Sequence, residues 1–268
     1  MKHALIFIGI FILYQASASL LVEYAIIPFL PHTNYAPIVL SIFLSTILYS
    51  IMTLATFIGA KWCNVSSKYI LSKPYEVLSL VALLSLSFIL PSTWTQELIP
   101  EQWRIDIYAD IFDKLSRYPE GYIVIGLCAP LVEEVVFRGA ILRKLLEWIK
   151  DSLGELSNKK AWIAIVISAV FFAAIHGNPA QIPHALIIGI LLGWLYYRTG
   201  SIIPGVIYHW INNSVAYFLT WIFPDIKSDA PLSTYFNGNE NIMITSVIVS
   251  SIIAIACIWQ LNHMIKET

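Results

Sequence analysis

The chain has 268 residues, of which 58% are apolar and only 12% are charged, and its formal net charge is -1. A soluble domain carries about a quarter charged residues, so this composition predicts an all-α protein, a polytopic bundle of transmembrane helices. The near-neutral charge and the lack of basic runs argue against nucleic acid as a partner. The three cysteines lie far apart, which argues against a zinc knuckle or a disulfide framework.

A membrane-spanning helix needs about 20 largely apolar residues. On that criterion the sequence predicts eight spans, in chain order 4–30, 37–60, 75–94, 121–143, 161–177, 182–197, 201–223 and 242–263. If the N-terminus is inside, eleven of the 16 Lys and Arg residues fall in cytoplasmic segments and four in outer segments, while Arg138 lies within a span. This positive-inside bias predicts that both termini are cytoplasmic.

The first predicted span has a second interpretation. Lys2, the apolar run "ALIFIGIFILY" and the small residues of "QASAS" also resemble a signal peptide with its cleavage site. Because the apolar run continues to Leu30, we favour a retained helix that is interrupted by Glu23. Cleavage would leave seven spans.

The longest outer segment, residues 92–120, is too polar to span. It places Ile105, Tyr108, Phe112 and Leu115 on one side at helical spacing, which predicts a segment along the membrane surface or a solvated cap on the bundle. The chain thus divides into N-terminal helices with this amphipathic segment (1–120), a core (121–223), and an outer loop with the last helix (224–268).

The fourth predicted span contains three charged residues, Glu133, Glu134 and Arg138. Each charged group at a helix centre costs about 2.5–3.5 kcal/mol on insertion scales, so a specific role is expected. Arg138 follows Glu134 by four residues on the same helical face, which predicts a structural ion pair. Glu133 is left without a partner in its own helix and becomes the candidate general base. Pro130 removes a backbone hydrogen bond to the Gly126 carbonyl and predicts a kink beside the acidic pair.

Two other predicted spans carry polar groups of the same kind. His176 ends the fifth span, and the seventh holds His209 and Asn213, four residues apart on one face. Each residue alone is typical of hydrogen bonding between helices. Together with Glu133 they form a set that can activate water and stabilise an oxyanion, with or without a divalent metal.

These residues resemble the motifs of the CPBP intramembrane protease family, which includes CAAX prenyl endopeptidases and bacteriocin-processing or Abi-type proteins. The three matching motifs are "EEVVFR" (133–138), "FAAIH" (172–176) and "HWINN" (209–213). Their order and their placement on three spans also agree, so the resemblance covers residues 121–223.

The resemblance implies an intramembrane endopeptidase, in a bacterial plasma membrane, that acts on a membrane-bound peptide or protein among membrane lipids. It assigns catalysis to Glu133, with His176 helping to activate water, while His209 and Asn213 stabilise the oxyanion or help to bind metal. A divalent metal such as zinc needs about three protein ligands, for which Glu133, His176 and His209 are the candidates. His176 lies near the outer end of its span, so we expect the "GNPAQIP" connection to dip into the bundle.

Two other functions fit the same polar residues. A transporter or proton relay also needs buried Glu, His and Arg, although no inverted repeat favours it. A catalytically silent scaffold or immunity protein would keep the same bundle without turning over a substrate.

Overall fold

The computed structural model describes residues 1–30, 35–64, 67–154 and 156–265, and within these ranges it is helical without strands. Lys266, one of the cytoplasmic charges counted above, lies outside the described residues. The α-helices are α1 Lys2–Leu21, α2 Pro37–Gly59, α3 Ser67–Leu71, α4 Tyr75–Glu97, α5 Ala109–Ser116, α6 Ala129–Glu133, α7 Arg143–Leu153, α8 Asn158–Ile175, α9 Ile182–Thr199, α10 Ile203–Ile222 and α11 Glu240–Met264. Three segments are π-helical: Val22–Ile26, Ile123–Cys128 and Glu134–Leu142.

Five of the described segments are long and apolar enough to cross a membrane, namely Lys2–Phe29, Pro37–Gly59, Tyr75–Glu97, Asn158–Ile175 and Glu240–Met264. They coincide with five of the eight predicted spans and mark an integral membrane protein. The other three predicted spans are helical as well, but a total of eight spans is not confirmed. Two of them, 121–143 and 201–223, carry the charged and amide side chains of the candidate site.

The charged helix lies at the centre of the bundle. All nine residues of the π-helical segment Glu134–Leu142 are buried, as expected of a helix surrounded by protein on every side. Phe11 of α1 packs edge-on against Phe137, and Phe172 of α8 packs against the same ring. Apolar helices α1 and α8 therefore pack directly against the segment that holds Glu134 and Arg138.

The segment before the core differs from the single apolar face that was predicted. Helix α5 begins only at Ala109, so Ile105 lies outside it and is 59% exposed, whereas Leu115 is buried. The end of this segment is tied to α10, because Trp221 donates a hydrogen bond from Nε1 to the Ser116 carbonyl. These contacts favour a cap packed on the bundle.

The connection between α8 and α9 is held against the same cap. Gly177 adopts a left-handed φ of 60°, and the side chain of Asn178 is fully buried. Asn178 donates from Nδ2 to Asp106 Oδ1 at 2.7 Å and accepts from the Ile107 backbone N–H at 3.3 Å. These bonds fix the turn that directly follows His176.

Candidate active site

A buried ion pair forms the base of the site. Arg138 Nη1 lies 2.7 Å from Glu134 Oε1, and the two side chains are 1% and 0% exposed. Nη2 of Arg138 donates to the Gly189 carbonyl of α9 at 3.2 Å, and its guanidinium carbon lies 4.3 Å from the centroid of the Phe172 ring. A buried charge is tolerated only when it is paired and hydrogen-bonded, and these three contacts supply part of that compensation. Glu134 Oε2 and Arg138 Nε have no hydrogen-bond partner among the described residues.

Glu134 also contacts His209 on a different helix. Nδ1 of His209 lies 3.3 Å from Glu134 Oε1, the oxygen that Arg138 also binds. A carboxylate only accepts hydrogen bonds, so Nδ1 carries the proton in this contact. The neutral ring then presents Nε2 as an acceptor, which is the usual way in which a carboxylate sets the tautomer of a functional histidine.

The approach of α10 to Glu134 depends on Gly205. A Cβ atom at this position would lie 2.5 Å from Glu134 Oε2, well inside van der Waals contact. Glycine lets the α10 backbone lie directly against the carboxylate, one turn before His209. The Glu134–His209 contact therefore requires a residue without a side chain at position 205.

Glu133 faces the other ring nitrogen of His209. Its Oε2 lies 3.8 Å from His209 Nε2, and its side chain is 20% exposed, in contrast to the sealed Glu134. The distance is too long for a direct hydrogen bond. It suits one water molecule, whose two O–H groups can donate to the carboxylate and to the imidazole together.

His176 is connected to the other site residues by its contact with the Phe172 ring. Its Nδ1 lies 2.8 Å from the Phe172 carbonyl in the last turn of α8, and its ring packs edge-on against Phe172 with centroids 4.9 Å apart. Phe172 also packs edge-on against the His209 ring, with centroids 5.8 Å apart. Phe172 thus contacts both imidazoles and also packs on Arg138.

Asn213 has a different partner from the other site residues. Its Nδ2 donates to the Ile125 backbone carbonyl at 3.1 Å. The structure therefore brings Glu133, Glu134, Arg138 and His209 into one contact network, connects His176 to it through Phe172, and holds Asn213 against the neighbouring π-helical segment.

The residues do not form a metal site as they are placed. Within the described ranges, no three His, Cys, Asp or Glu side chains converge as ligands. Of the candidate ligands Glu133, His176 and His209, the first and last approach to 3.8 Å, whereas each histidine ring packs against Phe172. A zinc site needs about three protein ligands, so this set does not fit without rearrangement.

Sequence reasoning missed two parts of this site. It gave Glu134 a purely structural role, although its second contact is the one that orients His209. It also did not identify Asn178, whose bonds to the cap position the turn after His176. Neither contact has a local signal, because each joins segments that are distant in the chain.

Comparison with known families agrees with this geometry. Residues 118–215 match the family model described as type II CAAX prenyl endopeptidase Rce1-like. The match includes every site residue from Glu133 to Asn213, and it confirms the predicted resemblance over this part of the chain. No curated protein and no solved structure gives a significant match.

Proposed function

We propose that the protein is an intramembrane endopeptidase in which Glu133 activates the water that attacks a peptide bond. One observation carries this proposal: Glu133 Oε2 and His209 Nε2 face each other at 3.8 Å, while Glu134 holds the opposite nitrogen of the same ring. A partly exposed carboxylate beside an oriented imidazole is the arrangement that general base catalysis needs. The family match supports a protease of this class.

The proposed reaction uses two hydrogen-bond acceptors, the Glu133 carboxylate and His209 Nε2. A water held between Glu133 and His209 has a lone pair free to attack the substrate carbonyl carbon, and Glu133 accepts the proton that this water loses. The C–N bond then breaks, and Glu133 returns the proton to the departing amine nitrogen. The second proton of the water passes from the new acid to the amine, so the products are a carboxylate and an ammonium group. The geometry favours His209 as the partner of Glu133 at the water, where the family resemblance suggested His176.

A divalent metal stays a prediction, and no step above uses one. The proposed mechanism expects peptide cleavage to persist after prolonged dialysis against a chelator. Loss of cleavage on dialysis and its recovery with added zinc would show instead that the candidate ligands Glu133, His176 and His209 rearrange around an ion.

The proposed setting is a bacterial plasma membrane with both termini in the cytoplasm. Membrane lipid surrounds the outer helices, and the proposed substrate is a membrane-bound peptide or protein that reaches the site from within the bilayer. A site enclosed by helices gives such a substrate a protected, polar environment for hydrolysis.

Glu133→Gln tests the proposal directly. Purified protein is incubated with a library of membrane peptides, and the products are identified by mass spectrometry. Removing a general base lowers the rate by about 10²–10⁴, so the variant should show almost no cleavage. It should also keep its unfolding temperature, because Glu133 is not part of the buried ion pair.

Glu147→Gln is the matched control, since Glu147 is 47% exposed and pairs only with surface cations. Unchanged cleavage by the Glu133 variant would refute the proposed base. If the wild-type protein cleaves no peptide at all, a proton relay or a catalytically silent scaffold becomes the better interpretation.

A further inference from the structure

The π-helical segment before α6 leaves the Ile125 carbonyl without its usual donor. In this winding each N–H bonds to the carbonyl five residues earlier, and the Ala129 N–H indeed bonds to the Val124 carbonyl. The next donor in the series would be residue 130, which is proline and has no N–H. The carbonyl left over in this register is that of Ile125.

Asn213 supplies the missing donor. Its Nδ2 lies 3.1 Å from the Ile125 carbonyl oxygen. An unpaired carbonyl inside a membrane protein costs several kcal/mol, so this carbonyl needs a donor at all times. The side chain that provides it lies one turn after His209 in α10, next to the Glu133–His209 pair.

The same carbonyl belongs to a segment that borders an apolar groove. The groove has a volume of about 270 Å³ and is lined by Gly126 of this segment, Pro130 of α6 and Trp210 of α10. Trp210 donates from Nε1 to the hydroxyl of Tyr122, the residue directly before the segment, at 2.8 Å, so one side-chain hydrogen bond joins α10 to this side of the site. Ile125 precedes Gly126 in the chain, so its carbonyl lies one residue from the lining of the groove and is bound by Asn213.

We propose that the Ile125 carbonyl binds a backbone N–H of the peptide substrate, and that Asn213 takes the place of that N–H in the resting protein. This inference rests on the proposed peptidase function. When the substrate N–H donates to Ile125, Asn213 is released and its Nδ2 can donate to the oxyanion that forms at the cleaved bond. The exchange leaves the number of hydrogen bonds to Ile125 unchanged. Asn213 therefore becomes available only when a peptide main chain is present.

Pro130→Ala separates this role from a purely structural one. The variant restores an N–H that can bond to Ile125 in the π register, so the substrate loses its acceptor while Asn213 is set free. We expect KM for a peptide cleaved by the wild-type protein to rise about two- to tenfold, the change that one net hydrogen bond gives, with little change in kcat. Pro183→Ala is the matched control, because Pro183 lies in the first turn of α9, where the missing N–H leaves no helical bond unmade.

The substrate side of the bond is tested with the same peptide methylated at one backbone nitrogen at a time. Methylation at one position should raise KM in the wild-type protein and in Pro183→Ala. It should have no further effect in Pro130→Ala, because the Ile125 carbonyl already has a donor in that variant. Equal effects of methylation in all three proteins would overturn the proposal, as would an unchanged KM in Pro130→Ala.

A stability measurement tests the bond between Asn213 and Ile125 separately from the proposed peptidase function. Asn213→Ala should lower the unfolding temperature of the wild-type protein but have a smaller effect in Pro130→Ala, which supplies its own donor to Ile125. Equal lowering in both backgrounds would refute the resting bond even if Glu133-dependent cleavage is observed. Absence of any wild-type cleavage removes both proposals.

Discussion

Gly205 offers a sharp test of the buried network, because one added carbon atom would strike the carboxylate that orients His209. In Gly205→Ala the new Cβ lies 2.5 Å from Glu134 Oε2, whereas ordinary contacts begin near 3.4 Å. Either Glu134 or α10 must move by nearly an ångström. Glu134 cannot move freely, since its other oxygen is bound at 2.7 Å by Arg138 and at 3.3 Å by His209.

The size of the effect follows from two opposing contributions. Alanine in place of glycine within a helix stabilises by about 0.5–1 kcal/mol when nothing obstructs it. Overpacking costs about 1–3 kcal/mol, and breaking a buried ion pair costs about 3–5 kcal/mol. We therefore expect Gly205→Ala to lower the free energy of unfolding by up to about 2.5 kcal/mol, and by about 2–4.5 kcal/mol if the Glu134–Arg138 pair separates.

Gly9→Ala in α1 is the matched control, because a Cβ atom there meets nothing within 4 Å. Both variants are unfolded thermally in the same detergent, and peptide cleavage is measured in parallel. Gly9→Ala should be at least as stable as the wild-type protein and fully active, while Gly205→Ala should be destabilised and slow because His209 loses its orientation. Equal stability of the two variants would show that Glu134 does not sit against α10 as described.

Two further substitutions examine the surroundings of this network. Arg138→Lys keeps the charge but replaces the two nitrogens that bind Glu134 and the Gly189 carbonyl with a single nitrogen. We expect its free energy of unfolding to fall by about 1.5–3 kcal/mol in thermal unfolding, against little change for Arg143→Lys, since Arg143 is partly exposed. Burial raises the pKa of the Cys63 thiol to about 11, so about one thiol in a thousand is ionised at pH 8. In a variant that lacks the other two cysteines, maleimide should therefore label Cys63 slowly. In that background Gly139→Ala, whose Cβ overlaps the Cys63 sulfur, should speed labelling at least about tenfold by displacing the thiol; an unchanged labelling rate would contradict this packing.

The sequence predicts well those features that lie within one helix or one motif. Five predicted spans coincide with apolar helices because apolarity over about 20 residues is a local property. The three polar motifs define the region that the family match covers. The extent of the amphipathic helix was less predictable, since Ile105 fits the helical spacing in the sequence but lies before the start of α5 and is exposed.

Contacts between helices could not be predicted in the same way. The Glu134–His209 contact depends on the close approach of α10 at Gly205, and that approach depends on packing around the whole bundle. The bond between Asn178 and Asp106 joins segments 72 residues apart. Residue types identify which groups are available for such contacts, but only the fold selects the partners.

The π-helical winding changes how the acidic pair should be interpreted. On α-helical spacing, two neighbouring glutamates separate because they point in directions about 100° apart. In the structure both carboxylates reach the same imidazole from opposite sides, Glu134 at Nδ1 and Glu133 at Nε2. A buried charge cluster that only fixes helix packing would need Glu134 and Arg138 alone, and both are fully sealed. Glu133 is the member of the pair that keeps some exposure and has no cation of its own among these contacts, which is why its placement favours chemistry over packing.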